Sequence, residues 1–303
     1  MATVPSHLVD LTERVRESSN ESLAVVGLGT RPLLDHETTS VVADRRVSAP
    51  SGILDFQPDE MIVKCGAGTP LDELRSVLVE AGQDVNIGGR GTIGGALARG
   101  WSDVHRLGRG PLRDVLLEAL LVDHCGRAIR VGGPTVKNVT GFDLARVLVG
   151  SLGTLGILGD VTVRTRPLSL ASRWSVVDHV DRRRLAEIRR RLYRPTSVLW
   201  DGSRCWIHLE GHPLDIDEQV EALSARLCDP PELPPHRWSL TPDAALDLSG
   251  EIGDVVEVGV GLVHRRRPAP VRPVLAPDVH RRLELAFDPG HRLNPHVRRF
   301  SDR

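Results

Sequence analysis

The segment PTVKNVTGFDLARVLVGSLGTLGIL, residues 134–158, places two groups of glycine on either side of a short apolar run. The run FDLARVLVG is typical of a short helix with Asp143 near its N-terminus, where a carboxylate is favourable. Glycine has no Cβ atom and adopts positive φ without strain, so its backbone can approach another group closely. The segment therefore predicts a short helix followed by a loop that could contact a ligand through its backbone.

Two more glycine-rich loops precede this segment. Gly27-Leu28-Gly29-Thr30 follows the apolar run SLAVV, and NIGGRGTIGGALARG covers residues 86–100. One such loop is explained equally well as a simple turn, but three in one domain favour backbone N–H groups that bind a phosphate or a ring. No Walker lysine motif and no GxGxxG after a first strand is present, which argues against a P-loop NTPase and a Rossmann dinucleotide fold.

Length and composition indicate an ordinary globular protein. At about 150 residues per domain, 303 residues predict two domains. A net charge of −1 gives no reason to expect nucleic-acid binding. The N-terminal residues lack a basic start followed by an apolar stretch, and no apolar run has the length of a membrane span, so we expect a cytoplasmic protein. The four cysteines form no CxxC pair, which predicts buried thiols rather than an iron–sulfur or zinc site.

The first half of the chain predicts alternating strands and helices. A strand is expected from Met61, and TPLDELRSVLVEAG predicts a helix with Thr69 as N-cap, Pro70 at its first position and Gly82 beyond its end. Its buried stripe would be Leu71, Leu74 and Leu78. VLLEALLVDHCGRAIRVGG predicts two strands joined by a turn at residues 123–126. GILGDVTVRTRP predicts an alternating strand that stops at Pro167.

A different series begins near Ser169. The order strand, helix, strand, strand, helix predicts a ferredoxin-like layer, an antiparallel sheet with helices on one face. The proline-rich segments CDPPELPPHRW and RRRPAPVRP are expected to be exposed connectors. The chain then closes with the predicted helix DVHRRLELAF and the turn-rich DPGHRLNPH.

Residues 91–167, with VKNVTG-F-DL at 136–144 and VGSLGTLG at 149–156, resemble the FAD-binding domain of the vanillyl-alcohol oxidase/p-cresol methylhydroxylase (PCMH) type. Within that superfamily they are most similar to the E subunit of bacterial glycolate oxidase. The match is dense from 25 to 167, and DPGHRLNPH, with His291 and Asn294, resembles the closing turn of the family. The resemblance implies an α+β fold, with a two-subdomain PCMH-type FAD-binding domain at 1–168 and a reduced ferredoxin-like α+β cap at 169–303.

The resemblance also implies which residues bind FAD. The first two loops would hold the pyrophosphate, which needs several N–H donors and little steric bulk. A third loop would contact the flavin. Leu28 interrupts the consecutive glycines that are usual in the first loop of the family. Members with covalent flavin carry a histidine or cysteine at the linkage position, whereas Thr30 follows Gly29 here, so the resemblance implies noncovalent FAD and makes His36 an ordinary loop residue. The implied cofactor-binding residues are Gly27, Gly29, Thr30, Gly91, Thr92, Ile93, Gly94, Gly95, Arg99, Ser102, Gly153, Thr154, Leu155, Gly156 and Ile157.

No catalytic residue is assigned from the sequence. Larger relatives carry a Glu-His-Gly signature in the cap that this chain lacks. In HLEGH, two histidines and a glutamate, His208, Glu210 and His212, could bind a metal from one strand face, but such alternation more often marks a solvent-facing surface, so no metal is assigned. His264 is either a candidate base or part of an exposed connector. Lys137 is either a structural ion-pairing residue or a cation near the flavin.

The implied function is that of an FAD-binding subunit in a glycolate-oxidase-type complex, which oxidises a small 2-hydroxy acid to a 2-oxo acid. Such a subunit would work with a larger FAD-bearing subunit and an iron–sulfur subunit. Two alternatives stay open at this point. The chain could be a stand-alone FAD-dependent alcohol or hydroxy-acid oxidoreductase with a small cap, or a degenerate non-catalytic scaffold that no longer holds FAD.

Overall fold

The computed structural model describes residues 4–30, 38–134, 143–248, 253–270 and 276–297. The chain divides into two compact units. The first comprises Met1–Trp101, Pro111–Leu168 and Val271–Arg303, and the second comprises Ser102–Gly110 and Ser169–Pro270. Compared with the expected boundary at 168, residues 102–110 lie in the second unit and the closing segment lies in the first.

The helices and strands are numbered along the described chain. The helices are α1 Val9–Glu17, α2 Leu71–Glu80, α3 Ile93–Arg99, α4 Arg106–Arg109, α5 Leu144–Leu148, α6 Arg182–Arg191, α7 Pro213–Ala222, α8 Pro242–Asp247 and α9 Pro277–Phe287, with 3-10 turns at Ser6–Leu8, Pro58–Glu60 and Leu112–Asp114. The strands are β1 Leu23–Val25, β2 Arg45–Val47, β3 Ile53–Gln57, β4 Ile62–Gly66, β5 Gln83–Asp84, β6 Leu116–Val122, β7 Ala128–Gly132, β8 Ile157–Arg164, β9 Arg166–Pro167, β10 Ala171–Val177, β11 Ser197–Trp200, β12 Cys205–Gly211, β13 Arg226–Cys228, β14 His236–Ser239, β15 Val255–Glu257 and β16 Leu262–Arg265.

The first unit is built around a five-stranded antiparallel sheet with the strand order β3-β4-β8-β6-β7. Its central strand, β8, is buried along its whole length except at its last residue, so the expected alternation is absent. Val161 and Val163 belong to one hydrophobic cluster with α2 and α3, whereas Ile157 packs with Leu8 in a second cluster. A strand covered on both faces is apolar on both, which removes the period-two pattern.

Smaller elements complete the first unit as local patterns predict. The turn between β6 and β7 places Gly126 at φ +76°, and Asp123 accepts hydrogen bonds from Cys125 and Arg127 N–H. Asp143 is the N-cap of α5 and accepts from the Arg146 N–H. The predictions of this hairpin and this short helix are therefore confirmed.

Helix α2 differs from its prediction at the cap. Leu71, Leu74 and Leu78 are fully buried as expected, but Pro70 is the N-cap and no side chain caps the helix. The Thr69 hydroxyl instead donates to the Gly66 carbonyl at 2.6 Å and accepts from the Gly52 N–H at 2.9 Å. The predicted role of Thr69 is wrong because its hydroxyl ties two backbone segments together.

The second unit contains a seven-stranded sheet in the order β13-β10-β12-β11-β15-β16-β14. Strands β10 to β13 are mutually antiparallel and alternate with α6 and α7 in the ferredoxin-like manner that the sequence predicted. Helices α6, α7 and α8 supply Leu185, Ile188, Ile216 and Ala245 to one core against this sheet. Strands β14, β15 and β16 extend it, so part of the expected connector CDPPELPPHRW is strand.

No described helix has the length and apolarity to cross a membrane.

The four cysteines should differ sharply in reactivity. Burial raises the pKa of both Cys65 and Cys205 to about 12, so these thiols carry almost no thiolate at mildly alkaline pH. Cys125 is exposed and Cys228 is half-buried. With a chromogenic disulfide reagent, the native chain should show a fast phase from Cys125, a slower one from Cys228, and the other two thiols only after denaturation.

The Cys125→Ser variant provides the control, since it should lose the fast phase and nothing else. A native chain in which Cys65 or Cys205 reacts as quickly as Cys125 would contradict the buried core described above.

Candidate functional site

A cavity of about 300 Å³ lies in the first unit where the three glycine loops converge. This volume is at the small end of the range for ligand sites in proteins. Nine of the residues that the resemblance implied line it, namely Gly27, Gly29, Thr30, Thr92, Gly94, Gly95, Arg99, Gly153 and Gly156. The fold therefore brings together members of all three loops around one space.

The other implied residues lie outside the cavity lining and are held elsewhere. The Gly91 carbonyl accepts from the Leu71 N–H at 2.8 Å. Ser102 belongs to the second unit, where its carbonyl accepts from Arg237 at 2.8 Å. The remaining four implied residues are buried. Ile93, Leu155 and Ile157 pack among apolar residues, and the Thr154 hydroxyl forms a local hydrogen bond.

Close backbone packing joins the first and second loops. The Thr92 hydroxyl caps α3 by accepting from the Gly95 N–H at 3.1 Å. A Cβ atom at Gly27 would lie 2.8 Å from that hydroxyl oxygen, and one at Gly94 would lie 2.8 Å from the Ala67 Cβ. Glycine at position 27 therefore lets the first loop approach Thr92 of the second, and glycine at position 94 lets α3 approach the turn after β4.

The third loop contacts the opposite end of α3. The Gly150 N–H donates to the Leu97 carbonyl at 2.9 Å, and the Leu152 N–H donates to the Ala98 carbonyl at 2.9 Å. A Cβ atom at Gly100, where φ is +72°, would lie 2.6 Å from the Gly150 Cα. Helix α3 thus holds the second and third loops on the same cavity.

Positive charge accompanies the cavity. The Arg99 side chain lines it, is 6% exposed and stacks 3.7 Å from the centre of the Trp101 ring. Arg46 and His296 line it too. Partial burial lowers the pKa of His296, and the positive charge of Arg46 lowers this pKa further. A glycine-walled cavity with arginines suits an anionic diphosphate. Leu28, which interrupts the first loop, also lines the cavity and is 59% exposed.

Sequence reasoning missed several lining residues. Asn294 reaches the cavity from the closing segment, and Gly68 reaches it from the turn after β4. Gly68 carries a local signal, since GAG follows a predicted strand. Asn294 carries only the turn-like DPGHRLNPH, which indicates no particular neighbour. The positions of Lys137 and His36 lie outside the described residues.

The residues of HLEGH serve three different purposes in the second unit. His208 is 3% exposed, and its two ring nitrogens pair with the hydroxyls of Ser172, at 2.9 Å, and Thr196. Glu210 forms an ion pair with Arg109. His212 is exposed and caps α7 by accepting from the Leu214 N–H. These residues do not converge on a metal, and the described residues contain no cluster suited to one.

The expectation of a solvent-facing surface is wrong for His208 and Glu210. Residues 102–110 lie against this face of the sheet, where the His105 ring centre is 4.5 Å from that of His208. His264 is likewise not in an exposed connector. It is buried in β16, and its Nε2 lies 2.7 Å from a carboxylate oxygen of the buried Glu257.

Comparison with known proteins identifies a cofactor for this chain. Residues 3–132 match the family model described as an FAD binding domain. The chain therefore carries an FAD-binding domain and FAD is its cofactor. The fold agrees: solved structures of alkyldihydroxyacetonephosphate synthase match 73% of this chain and 50% of that one, with a TM-score of 0.58 and 16% identity.

Among curated proteins, the chain is similar to "Glycolate oxidase subunit GlcE" of Escherichia coli K12, with 29% identity over 211 residues, 66% of this chain and 60% of that protein. It is also similar to "D-lactate dehydrogenase" of Archaeoglobus fulgidus, with 37% identity over 119 residues, 38% of this chain and 26% of that protein. The chain thus spans about three-fifths or less of the length of these relatives.

Replacing Gly94 by alanine should disrupt the cavity. The added Cβ would meet both the Cβ and the carbonyl oxygen of Ala67 at 2.8 Å, and overpacking of this kind costs about 1–3 kcal/mol. We expect a lower free energy of unfolding in urea and weaker FAD binding in a fluorescence titration. Gly133→Ala is the matched control, because its Cβ would meet nothing within 4 Å. Wild-type behaviour of Gly94→Ala would contradict the packing described here.

Acid should destabilise the second unit through His208. Burial, and then His105, lower the pKa of His208 from 6.5 to about 4, against the opposing effect of Glu210. The unfolded chain therefore binds a proton at His208 more tightly than the folded chain does. The folded chain has its full stability above pH 6.5 and loses stability as the pH falls from 6.5 to about 4. At 1.36 kcal/mol per unit, the loss is at most about 3 kcal/mol.

Urea denaturation across that pH range measures the effect. A His208→Gln variant should be less stable near neutral pH and should lose less stability on acidification. The same pH dependence in wild type and variant would show that another group is responsible.

Proposed function

We propose that this chain is the FAD-binding subunit of a glycolate-oxidase-type complex that oxidises a 2-hydroxy acid to a 2-oxo acid. The observation that carries the proposal is the similarity to a glycolate oxidase subunit over 66% of the chain, together with the cavity in which three glycine loops and two arginines converge. Other relatives support the same substrate class, since their names are D-lactate and D-2-hydroxyglutarate dehydrogenases.

In this proposal the first unit binds and orients the cofactor. The glycine loops give a diphosphate access to the backbone, and Arg99 and Arg46 balance its charge. The Trp101 ring holds the Arg99 guanidinium in place. When bound, FAD supplies the electron acceptor for oxidation of the alcohol carbon. Thr30 at the end of the first loop offers no histidine or cysteine for a covalent link, which is consistent with noncovalent FAD.

The second unit supports a role in which another chain completes the reaction. Each histidine that the sequence raised as a candidate is engaged within the unit: His208 by two hydroxyls, His212 at the start of α7, and His264 by Glu257. A base that takes a substrate proton needs a nitrogen directed at the substrate. We therefore propose a larger FAD-bearing subunit and an iron–sulfur subunit as partners in the cytoplasm, the larger one binding the 2-hydroxy acid.

The purified chain should show a flavin absorbance spectrum yet oxidise glycolate or D-lactate poorly with an artificial electron acceptor. Tagged in its native cell, it should co-purify with a larger flavoprotein and a cysteine-rich iron–sulfur protein. Adding those partners should raise turnover by at least about a hundredfold, the scale of one missing catalytic group.

Other outcomes separate the alternatives. Efficient turnover by the isolated chain would replace the subunit proposal with a stand-alone oxidoreductase. A complex that forms and turns over when this chain cannot bind FAD would instead indicate a scaffold.

A further inference from the structure

The Asn294 side chain joins two walls of the FAD cavity that are remote in sequence. Its carbonyl oxygen accepts from the Val25 N–H at 2.6 Å, at the end of β1, and its amide nitrogen donates to the Leu152 carbonyl at 2.7 Å, in the third glycine loop. The residue is 4% exposed and lines the cavity. One side chain therefore links β1, which leads into the first loop, with the third loop and the closing segment.

The backbone around Asn294 is equally committed to the first unit. The Leu23 N–H donates to the Arg292 carbonyl at 2.8 Å, and the Asn294 N–H donates to the Leu23 carbonyl at 2.7 Å. The closing segment thus forms a parallel bridge beside β1. It also supplies His296 and Val297 to the cavity lining.

Arg292 and Asp288 anchor the segment away from the cavity. The Arg292 guanidinium donates to the Glu21 carbonyl at 3.0 Å and also to the Ser18 and His124 carbonyls. The fully buried Asp288 accepts from the Arg292 and Leu293 N–H groups at 3.1 and 2.8 Å. These contacts hold residues 288–297 as one docked unit.

The residue types at the contact are specific to this arrangement. Asn294 has φ +48°, a left-handed conformation that asparagine tolerates better than most residues. A Cβ atom at Gly153, with φ +71°, would lie 2.5 Å from the Asn294 amide nitrogen. Gly153 must therefore be glycine for the asparagine to reach Leu152, whatever else the third loop binds.

We infer that residues 288–297 act as a closing wall of the FAD cavity, with Asn294 as its positioning residue, so that FAD binding and docking of this segment stabilise each other. A ligand that binds the docked form better shifts the population towards it, and the coupling is reciprocal. The inference rests on FAD as the cofactor and not on the proposed reaction. Failure of 2-hydroxy-acid turnover would leave it intact.

Hydrogen exchange of the wild-type chain, with and without FAD, tests the first direction of the coupling. The Leu23 and Val25 amides donate to the docked segment, and the Asn294 amide donates from it to the Leu23 carbonyl. FAD should therefore slow the exchange of all three amides by about tenfold or more. The Val258 amide, which donates to Val198 in the second unit, is the reference. If FAD protects residues 92–99 but leaves these three amides unchanged, the inference is overturned.

FAD titration of variants tests the reverse direction. Asn294→Gly removes the side chain but keeps the left-handed backbone accessible, and it should raise the FAD dissociation constant about tenfold through a smaller docked population. Arg292→Met loosens the segment without changing the cavity lining and should weaken FAD binding in the same direction. Arg281→Ala, which removes an exposed pair with Asp278 on α9, should bind FAD as wild type does.

The variants separate coupling from direct contact. If Arg292→Met shows faster exchange at Leu23 and Asn294 but binds FAD with unchanged affinity, docking and binding are independent and the inference fails. It also fails if Asn294→Gly binds FAD as tightly as wild type. Should Asn294→Gly not fold, Arg292→Met and the wild-type exchange data decide the question.

Discussion

Close approach of backbone segments at both ends of α3 is the constraint on which the first unit depends. At its start, the Ile93 N–H donates to the Thr69 carbonyl at 3.0 Å and the Gly94 N–H donates to the Ala67 carbonyl at 2.8 Å. At its end, the third glycine loop bonds to the Leu97 and Ala98 carbonyls. Several glycines are therefore required by packing itself, and the same small residues leave room for a cofactor. The packing of the first unit and the proposed binding of FAD make the same demand on these positions.

Buried polar pairs shape the second unit in a different way. The sheet face opposite α6 and α7 carries the Arg109–Glu210 pair and the Glu257–His264 pair, each largely withdrawn from solvent. Desolvation of such groups can offset the attraction between them, so a buried pair is weak evidence for stability. Arg109 comes from residues 102–110, the stretch that leaves the first unit and returns to it. The pair with Glu210 fixes where this stretch lies on the sheet.

Local patterns predicted elements well where one segment carried the whole signal. The leucine stripe of α2, the turn at Asp123, the start of α5 near Asp143 and the ferredoxin-like order all follow from patterns within short windows. Errors arose where a distant segment changed the environment. Thr69 bonds to Gly52 instead of capping α2, and His208 is buried because residues 102–110 cover a face that alternation indicated as open.

The sequence by itself determined that the chain has an α+β fold, that its first half has three glycine-rich loops, and that a smaller antiparallel layer follows. These properties depend on local propensity and on motif order, which a single chain displays directly. Only the tertiary structure decided which loop residues face the cavity, that Ile93 and Ile157 support it from the core, and that Asn294 completes it. The contact of Asn294 with Val25 spans 269 residues, and no local periodicity records a pairing at that distance because it forms only when the chain returns to its first strand.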